Sequence, residues 1–311
     1  MASTSIQWFP GHMHKARKEM TEVMGQIDII IEVVDARIPY SSENPFANEL
    51  RGDKPLIKVL NKCDLADDEV VAQWQEHLNS QQGISSLAIT ANEPTQVAKI
   101  LELCRKLVPH RDETGKDIRA MIMGIPNVGK STIINILAGR IIAKTGNEPA
   151  VTKRQQRINL KNGIVLCDTP GILWPKVHND HSGYRLAITG AIKDTAFEYE
   201  DIASYAGEYF LKDYPLMIKE RYKLDELPQN DWELIEAIGN VRGFKRAGGR
   251  VDMHKTCEIL LHEFRQGTIG KICLETPQMA VVEEAQVAEK LAQEALEGKV
   301  KKKKPKKKRR R

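Results

Sequence analysis

Gly124-Ile-Pro-Asn-Val-Gly-Lys-Ser-Thr132 is the stretch on which the fold turns. Gly124, Gly129, Lys130 and Ser131 match the phosphate-binding loop pattern G-x-x-x-x-G-K-[ST]. The flanks fit: Ile118 to Met123 reads as a short buried strand. Ser131 to Gly139 reads as a helix with Ile133, Ile134, Ile136 and Leu137 available for packing. Glycines let the backbone approach phosphate oxygens, loop N–H groups donate to them, and a helix N-terminus favours negative charge. The pattern therefore assigns Val128, Gly129, Lys130, Ser131 and Thr132 to the phosphates of a nucleotide. Lys130 is expected on the β- and γ-phosphates, as a catalytic group, and Ser131 on Mg²⁺.

At 311 residues the chain has room for two domains with sizeable cores. No apolar run approaches the length of a membrane span, and the first residues are polar, then aromatic, then basic, unlike a secretory signal. Five cysteines form no C-x-x-C pair, which fits a reducing compartment and argues against a disulfide framework or a zinc site. The expectation is a cytoplasmic protein with no membrane partner, a monomer by default. Charge is unevenly placed. The net value is +5, but the last eleven residues, from Lys301, hold ten basic side chains and no acidic one, leaving −5 on the rest. A polyanionic partner follows, with the tail as its contact.

In chain order, Ile6-Gln-Trp-Phe-Pro-Gly-His-Met13 precedes a helix over Lys15 to Met24, with Ala16, Met20, Val23 and Met24 on one face. By pattern alone His12 is a turn residue. Ile27 to Asp35 is a β-branched run typical of a buried parallel strand. Arg37 to Asn44 reads as a loop, and Pro55 to Leu60 as a strand ending in Asn61-Lys62-Cys63-Asp64. A helix follows over Asp67 to Gln82, then a strand over Ile84 to Thr90, ending in Thr90-Ala91-Asn92. Pro94 to Leu107 is helical, and Pro109 to Lys116 is a polar connector. Beyond the loop helix, Ala143 to Lys153 is polar and broken by Gly and Pro. Gln156 to Leu160 and Ile164 to Cys167 form a hairpin around Asn162-Gly163, running into Asp168-Thr-Pro-Gly171.

The second half reads as all-helical, about a hundred residues, an ordinary domain size. A linker and helix span His178 to Lys193, and helices cover Glu200 to Leu211, Asp231 to Val241 and Asp252 to Arg265. Inward positions include Ile202, Tyr205, Ala206, Tyr209, Phe210, Trp232, Ile235, Ile238, Ile259, Leu260, Leu261 and Phe264. Pro277 to Gly298 allows one more helix before the tail, which is expected to be disordered by itself.

Asn61-Lys62-Cys63-Asp64 resembles the N-K-x-D guanine-specificity motif of GTPases. An aspartate accepts from guanine N1–H and the exocyclic amine. Such a site rejects the wrong base by about 10⁴–10⁵, because its carboxylate would be left unpaired. The resemblance gives Asp64 that role and makes Asn61, Lys62 and Cys63 the bracing turn. Thr90-Ala91-Asn92 stands where GTPases carry an S-A-K loop, so Ala91 is assigned to the base. Asp168-Thr-Pro-Gly171 resembles D-x-x-G, which puts Asp168 at Mg²⁺ through water and the Gly171 N–H at the γ-phosphate. Thr152 is the candidate switch threonine on Mg²⁺, with Thr145 as runner-up. An ordinary GTPase has these parts in the order phosphate loop, D-x-x-G, N-K-x-D, S-A-K. Here N-K-C-D and T-A-N come first, so the chain resembles a circularly permuted GTPase: an α/β P-loop domain, then an all-helical domain and a basic tail. The expected layout is an arm over 1–25, a G domain over 26–176, a helical RNA-binding-like domain over 177–277, and a helix with the tail over 278–311.

Within that class the sequence resembles the ribosome biogenesis GTPase A (YlqF) family. The resemblance rests on Ile6-Gln-Trp-Phe-Pro-Gly-His-Met13, Val34-Asp-Ala-Arg-Ile-Pro39, the phosphate loop, Asp168-Thr-Pro-Gly-Ile-Leu-Trp-Pro175 and Thr189-Gly-Ala-Ile-Lys-Asp194. It implies GTP hydrolysis to GDP in late maturation of the large (50S) ribosomal subunit. The protein would bind rRNA or the precursor particle with GTP and leave on hydrolysis. Ile172 occupies the place of the water-orienting glutamine of ordinary GTPases. The family gives that role to the histidine of its P-G-H-M motif, here His12. In related GTPases an asparagine at the Asn127 position ligates K⁺, which substitutes for an arginine finger worth about 10³–10⁵ in rate; the plain reading is a loop amide. The family's helical domain contacts rRNA, which makes Lys245, Arg246 and Arg250 candidate contacts here. The alternative function is a nucleotide-gated RNA-binding module with negligible hydrolysis.

Overall fold

The structure, a computed structural model, describes residues 12–143, 156–171, 173 and 179–303, and the side chains of all of these except 12–17, 112 and 294–303. Six strands form one sheet: β1 (Ile29–Asp35), β2 (Leu56–Asn61), β3 (Ile84–Ala88), β4 (Ile118–Gly124), β5 (Gln156–Asn159) and β6 (Ile164–Asp168). Their spatial order is β3-β2-β1-β4-β6-β5. All neighbours pair in parallel except β5 and β6, which form the antiparallel hairpin expected around Asn162-Gly163. Every residue of β1 and β2 is buried, as strands covered on both faces require. The order reverses between β1 and β4: β2 and β3 build outward on one side, and β6 and β5 on the other. Open α/β sheets bind ligands at such a reversal, beyond the carboxyl ends of the strands.

Among the described residues, seven helices accompany the sheet: α1 (His12–Val23), α2 (Pro39–Ser42), α3 (Pro45–Arg51), α4 (Asp68–Asn79), α5 (Pro94–Leu107), α6 (Pro109–Glu113) and α7 (Lys130–Ala138). Six follow it: α8 (Asp180–Ile188), α9 (Tyr199–Asp213), α10 (Pro215–Tyr222), α11 (Asp231–Val241), α12 (Met253–Arg265) and α13 (Pro277–Lys303). Their starts are written locally. Side-chain oxygens of Asn44, Asp67, Asn179, Asn230 and Asp252 accept the free N–H groups of α3, α4, α8, α11 and α12. Proline opens α2, α3, α5 and α10.

Several expectations need correction. The 37–44 segment is not all loop, since it contains α2, and the 109–116 connector begins with α6. The sequence reading did not anticipate α3 or α10. A proline at a first helical position looks like a turn signal when the helix behind it is short. Trp232 faces solvent, 56% exposed, rather than the core. In the first turn of α11 it is Asp231 that meets α9, its carboxylate accepting a hydrogen bond from the Ser204 hydroxyl. Tyr205 and Tyr209 are half-buried. Finally, α13 continues into the first three lysines of the tail, to Lys303, and residues 304–311 lie outside the described residues.

The segment after α12 runs back against the sheet half. The Ile272 N–H donates to Leu65 O at 3.1 Å, and the Leu274 N–H to Arg37 O at 2.8 Å. Trp74 Nε1 donates to Glu275 O at 3.1 Å. Beneath them, buried Arg185 of α8 reaches Glu275 at 3.2 Å and Glu283 of α13 at 2.7 Å. The Glu275 carboxylate also accepts from the Ser41 N–H and hydroxyl, at 2.9 and 2.6 Å.

Candidate nucleotide site

The carboxyl ends of β1, β2, β4 and β6 carry Asp35, Asn61, Gly124 and Asp168, so parallel register alone brings their motifs to one edge. Asn61 ties two of them to the loop that follows β3. It is 1% exposed, its Nδ2 donates to Val128 O of the phosphate loop at 2.7 Å, and its Oδ1 accepts the Ala91 N–H at 2.9 Å. One side chain thus joins N-K-C-D, the phosphate loop and T-A-N. Gly129 packs against that same amide at φ +95°, where a Cβ would collide with Asn61 Nδ2.

Lys130 is the first residue of α7, and Gly129 is its N-cap. The Lys130 ammonium is paired with the Asp168 carboxylate, and both are buried. Burial pushes the Lys130 pKa down, with Asp168 opposing. Ser131 and Thr132 follow, half-buried, in the first turn of α7. Gly171 lies against the loop backbone: a Cβ there would stand 3.1 Å from Pro126 N and 3.2 Å from Pro126 Cα. D-T-P-G and the phosphate loop are therefore in contact, and backbone N–H groups can line a common anion cradle.

At the other end, Lys62 adopts a left-handed backbone, φ +67°, and Cys63–Leu65 forms a short 3-10 turn. Asp64 is exposed on that turn. Cys63 is locked in, its thiol donating to Leu60 O at 3.2 Å, and burial pushes that thiol up to about 12. It serves as part of the turn rather than as a reactive group. The Lys62 ammonium is held by Asp35 at 2.8 Å, a residue the sequence reading left without a role. Its signal was available: an acidic residue at the end of a buried strand beside the order reversal. Asn127, φ +58°, donates its Nδ2 to Gly190 O at 2.8 Å, just beyond α8. That link joins the loop to the helical half and has no sequence signature.

His12 lies in α1, but its side chain is outside those described; Thr152, Thr145 and Ile172 lie outside the described residues. Among the described residues no cluster of three or more His, Cys, Asp or Glu could hold a metal by itself. A Mg²⁺ ion shared with phosphate oxygens fits what is present: a hydroxyl at Ser131 and a buried carboxylate at Asp168. This donor set suits a hard cation that keeps waters. Such an ion would neutralise charge between the β- and γ-phosphates. The cradle suits a triphosphate end, and the exposed Asp64 edge, braced by Asn61 and Lys62, suits a base with two adjacent donors.

The comparisons agree with that chemistry. A family model described as 50S ribosome-binding GTPase matches residues 119–204. Ribosome biogenesis GTPase A of Priestia megaterium is 47% identical over 284 residues, spanning 89% of this chain and 98% of that protein. Mitochondrial ribosome-associated GTPase 1 of Mus musculus is 33% identical over 299 residues, spanning 86% and 90%. The solved GNP-bound YlqF from T. maritima, 25% identical, superposes with a TM-score of 0.58 over 85% of this chain and 99% of its own. With the phosphate loop, the N-K-C-D turn and D-T-P-G assembled at one sheet edge, and this similarity running over nearly the whole of the relatives, the chain belongs to the ribosome biogenesis GTPase A family.

Proposed function

We propose that this chain is a GTP-hydrolysing assembly factor for the large (50S) ribosomal subunit, working in the cytoplasm as a monomer. It grips the precursor particle and its rRNA in the GTP state and leaves after hydrolysis to GDP. The observation that carries the reading is Asn61, which bridges the base turn, the phosphate loop and the T-A-N loop. The relatives' names support the ribosomal partner. Among the described residues no helix is long and apolar enough to cross a membrane. The N-K-C-D strand β2 precedes the phosphate-loop strand β4, and the family model matches only from residue 119 onward. Both support a circularly permuted G domain over 26–176, followed by a helical unit over 177–277 and α13 with the tail over 278–311.

In this reading Asp64 pairs with guanine, Asn61, Lys62, Cys63 and Ala91 shape its pocket, and Val128 to Thr132 with Gly171 hold the phosphates. Ser131, Asp168 and Thr152 serve Mg²⁺, Asn127 serves K⁺, and His12 orients the attacking water in place of Ile172. Lys245, Arg246 and Arg250, all exposed, face rRNA. If all ten tail charges meet phosphates, log K falls by about 7 to 9 per unit of log[salt], an upper limit.

The test is GTP hydrolysis with and without purified large subunits, in KCl and in NaCl. Stimulation by the subunit in KCl alone is expected. Stimulation in both salts removes the K⁺ assignment, and none in either removes the assembly-GTPase reading. Ile172 favours one competitor, a nucleotide-gated RNA-binding module that scarcely hydrolyses. His12→Ala separates the two: the enzyme reading expects stimulated turnover to vanish while particle binding stays.

A further inference from the structure

Asp35 sits at the last position of β1, directly across from Asn61, the last of β2, and the next N–H, from Ala36, donates to Asn61 O at 2.8 Å. Its carboxylate is 2% exposed as a residue and collects four donors. Oδ1 accepts the Arg37 N–H at 3.1 Å and Arg37 Nε at 2.9 Å. Oδ2 accepts Arg37 Nη2 at 2.8 Å and Lys62 Nζ at 2.8 Å. Burial alone would raise this carboxyl, but the two cations outweigh it and hold Asp35 well below the usual carboxylate range. Arg37 in turn lies over the Phe264 ring, 5.0 Å from its centre, and its carbonyl accepts the Leu274 N–H.

Lys62 needs such an anchor. A left-handed backbone is costly for a residue with a Cβ, and it persists only where the surroundings over-determine it. The Leu65 N–H to Lys62 O bond, 3.0 Å, closes the turn from the other side. Between these two fixings the chain turns Asp64 outward. We propose that Asp35 is a positioning residue for guanine recognition: by holding the Lys62 ammonium it keeps the Asn61–Asp64 turn in the shape that presents Asp64 to the base. This inference rests on the reading of that turn as the base site. It gives a role to the Val34-Asp-Ala-Arg-Ile-Pro39 motif, which the phosphate chemistry leaves unused. Arg37 completes the arrangement, since it balances the buried carboxylate and fastens the turn to α12.

The experiment measures the affinity of a fluorescent GDP for the full chain and for Asp35→Asn, Lys62→Met and the double variant. Asp35→Asn is expected to weaken GDP binding about tenfold to a hundredfold, the weight of one charge-assisted hydrogen bond. In the Lys62→Met background the same substitution should cost almost nothing more. An equal loss in both backgrounds, as a general structural role through Arg37 would give, overturns the proposal, and so does no loss. If Asp35→Asn does not fold, brief acetylation of the nucleotide-free wild-type chain decides instead. Lys62 is expected to react more slowly than exposed Lys99 and Lys223, and equal rates overturn the proposal. Asp64→Asn separates the two levels. If it leaves GDP affinity unchanged, the base-site reading itself fails. If it abolishes GDP binding while Asp35→Asn does not weaken it, only the role of Asp35 fails.

Discussion

Replacing Arg185 by methionine is expected to remove about 3–5 kcal/mol of folding stability, the range for breaking a buried ion pair from one side. The guanidinium is buried, with Nη1 3.2 Å from Glu275 and 2.8 Å from Glu283, and Nη2 2.7 Å from Glu283. Methionine fills much of the volume, so the loss is electrostatic rather than a cavity. Glu275 keeps its two bonds from Ser41, and Glu283 keeps the Asn179 amide at 2.5 Å, but the guanidinium that pairs with both carboxylates is gone. Glu275 is the one that takes up a proton. Burial already raises its pKa, and Arg185 is the largest opposing influence. In the variant the folded state therefore holds a proton that the unfolded chain releases above its ordinary carboxylate pKa. Stability then falls as pH rises, so the deficit relative to wild type should be larger at pH 8 than at pH 5.5. Urea unfolding of both chains at the two pH values measures this. A deficit below about 1 kcal/mol, or one that does not grow with pH, would refute the reasoning. The first outcome would mean that the network linking α8, α13 and Ser41 does not hold the helical half in place, and the second that Glu275 does not take up the proton.

Three further expectations follow from single sites. Gly129→Ala should abolish nucleotide binding, because it forces a side chain to φ +95° and pushes the Asn61 amide off Val128 O; retained GDP affinity in titration would show that the Asn61 bridge is dispensable. Burial raises the Glu32 carboxyl to about 7 against the pull of Lys58, which lies 3.5 Å away and also pairs with Glu43. A raised acid favours the fold while protonated, so wild-type stability should drop by up to roughly 3 kcal/mol between pH 5 and pH 8. Glu32→Gln should remove most of that slope, and an unchanged slope in urea titrations would point to another group. Trp232→Ala should change stability by no more than about 0.5 kcal/mol, as for other exposed positions, and a cost above about 2 kcal/mol would restore it to the core.

Much of the sheet half was legible because its signals are local. A β-branched run marks β1, the strand flanking the phosphate loop marks β4, and the helices expected over Pro94 to Leu107 and Asp231 to Val241 are α5 and α11 at their observed ends. The phosphate loop and D-T-P-G carry their chemistry in consecutive residues, and parallel register then brings them together. Arg185, Glu275 and Glu283 were illegible for the opposite reason. A lone charge in an amphipathic pattern reads as solvent-facing, and the partners here lie 90 and 98 positions away. The same holds for the Asn127 amide and the Gly190 carbonyl, 63 positions apart. Trp232 misled because size and apolarity favour the core, yet Asp231 filled that place by bonding Ser204.

The two ends of the nucleotide site meet again in the last turn of α12. Phe264 lies under Arg37, whose partner Asp35 holds the base turn through Lys62. Its neighbour Arg265 donates to Ala187 O at 2.8 Å and to Ile188 O at 2.9 Å, fixing the end of α8. Just beyond that end, Gly190 O receives the Asn127 amide of the phosphate loop. At its other end α12 is capped by Asp252, which pairs with Arg246 of the basic loop at 2.8 Å. Thirteen helical residues make a rod of about 20 Å. This one helix therefore meets the basic loop at one end and, at the other, Arg37 and the end of α8, which lead on to Asp35 and to the Asn127 amide. A displacement of α12 against the sheet would be passed to the Asn61–Asp64 turn through Arg37 and Asp35, and to the phosphate loop through Gly190. Linkage would make any such coupling mutual: a ligand on the basic loop that changed nucleotide affinity by some factor would have its own affinity changed by the nucleotide by the same factor.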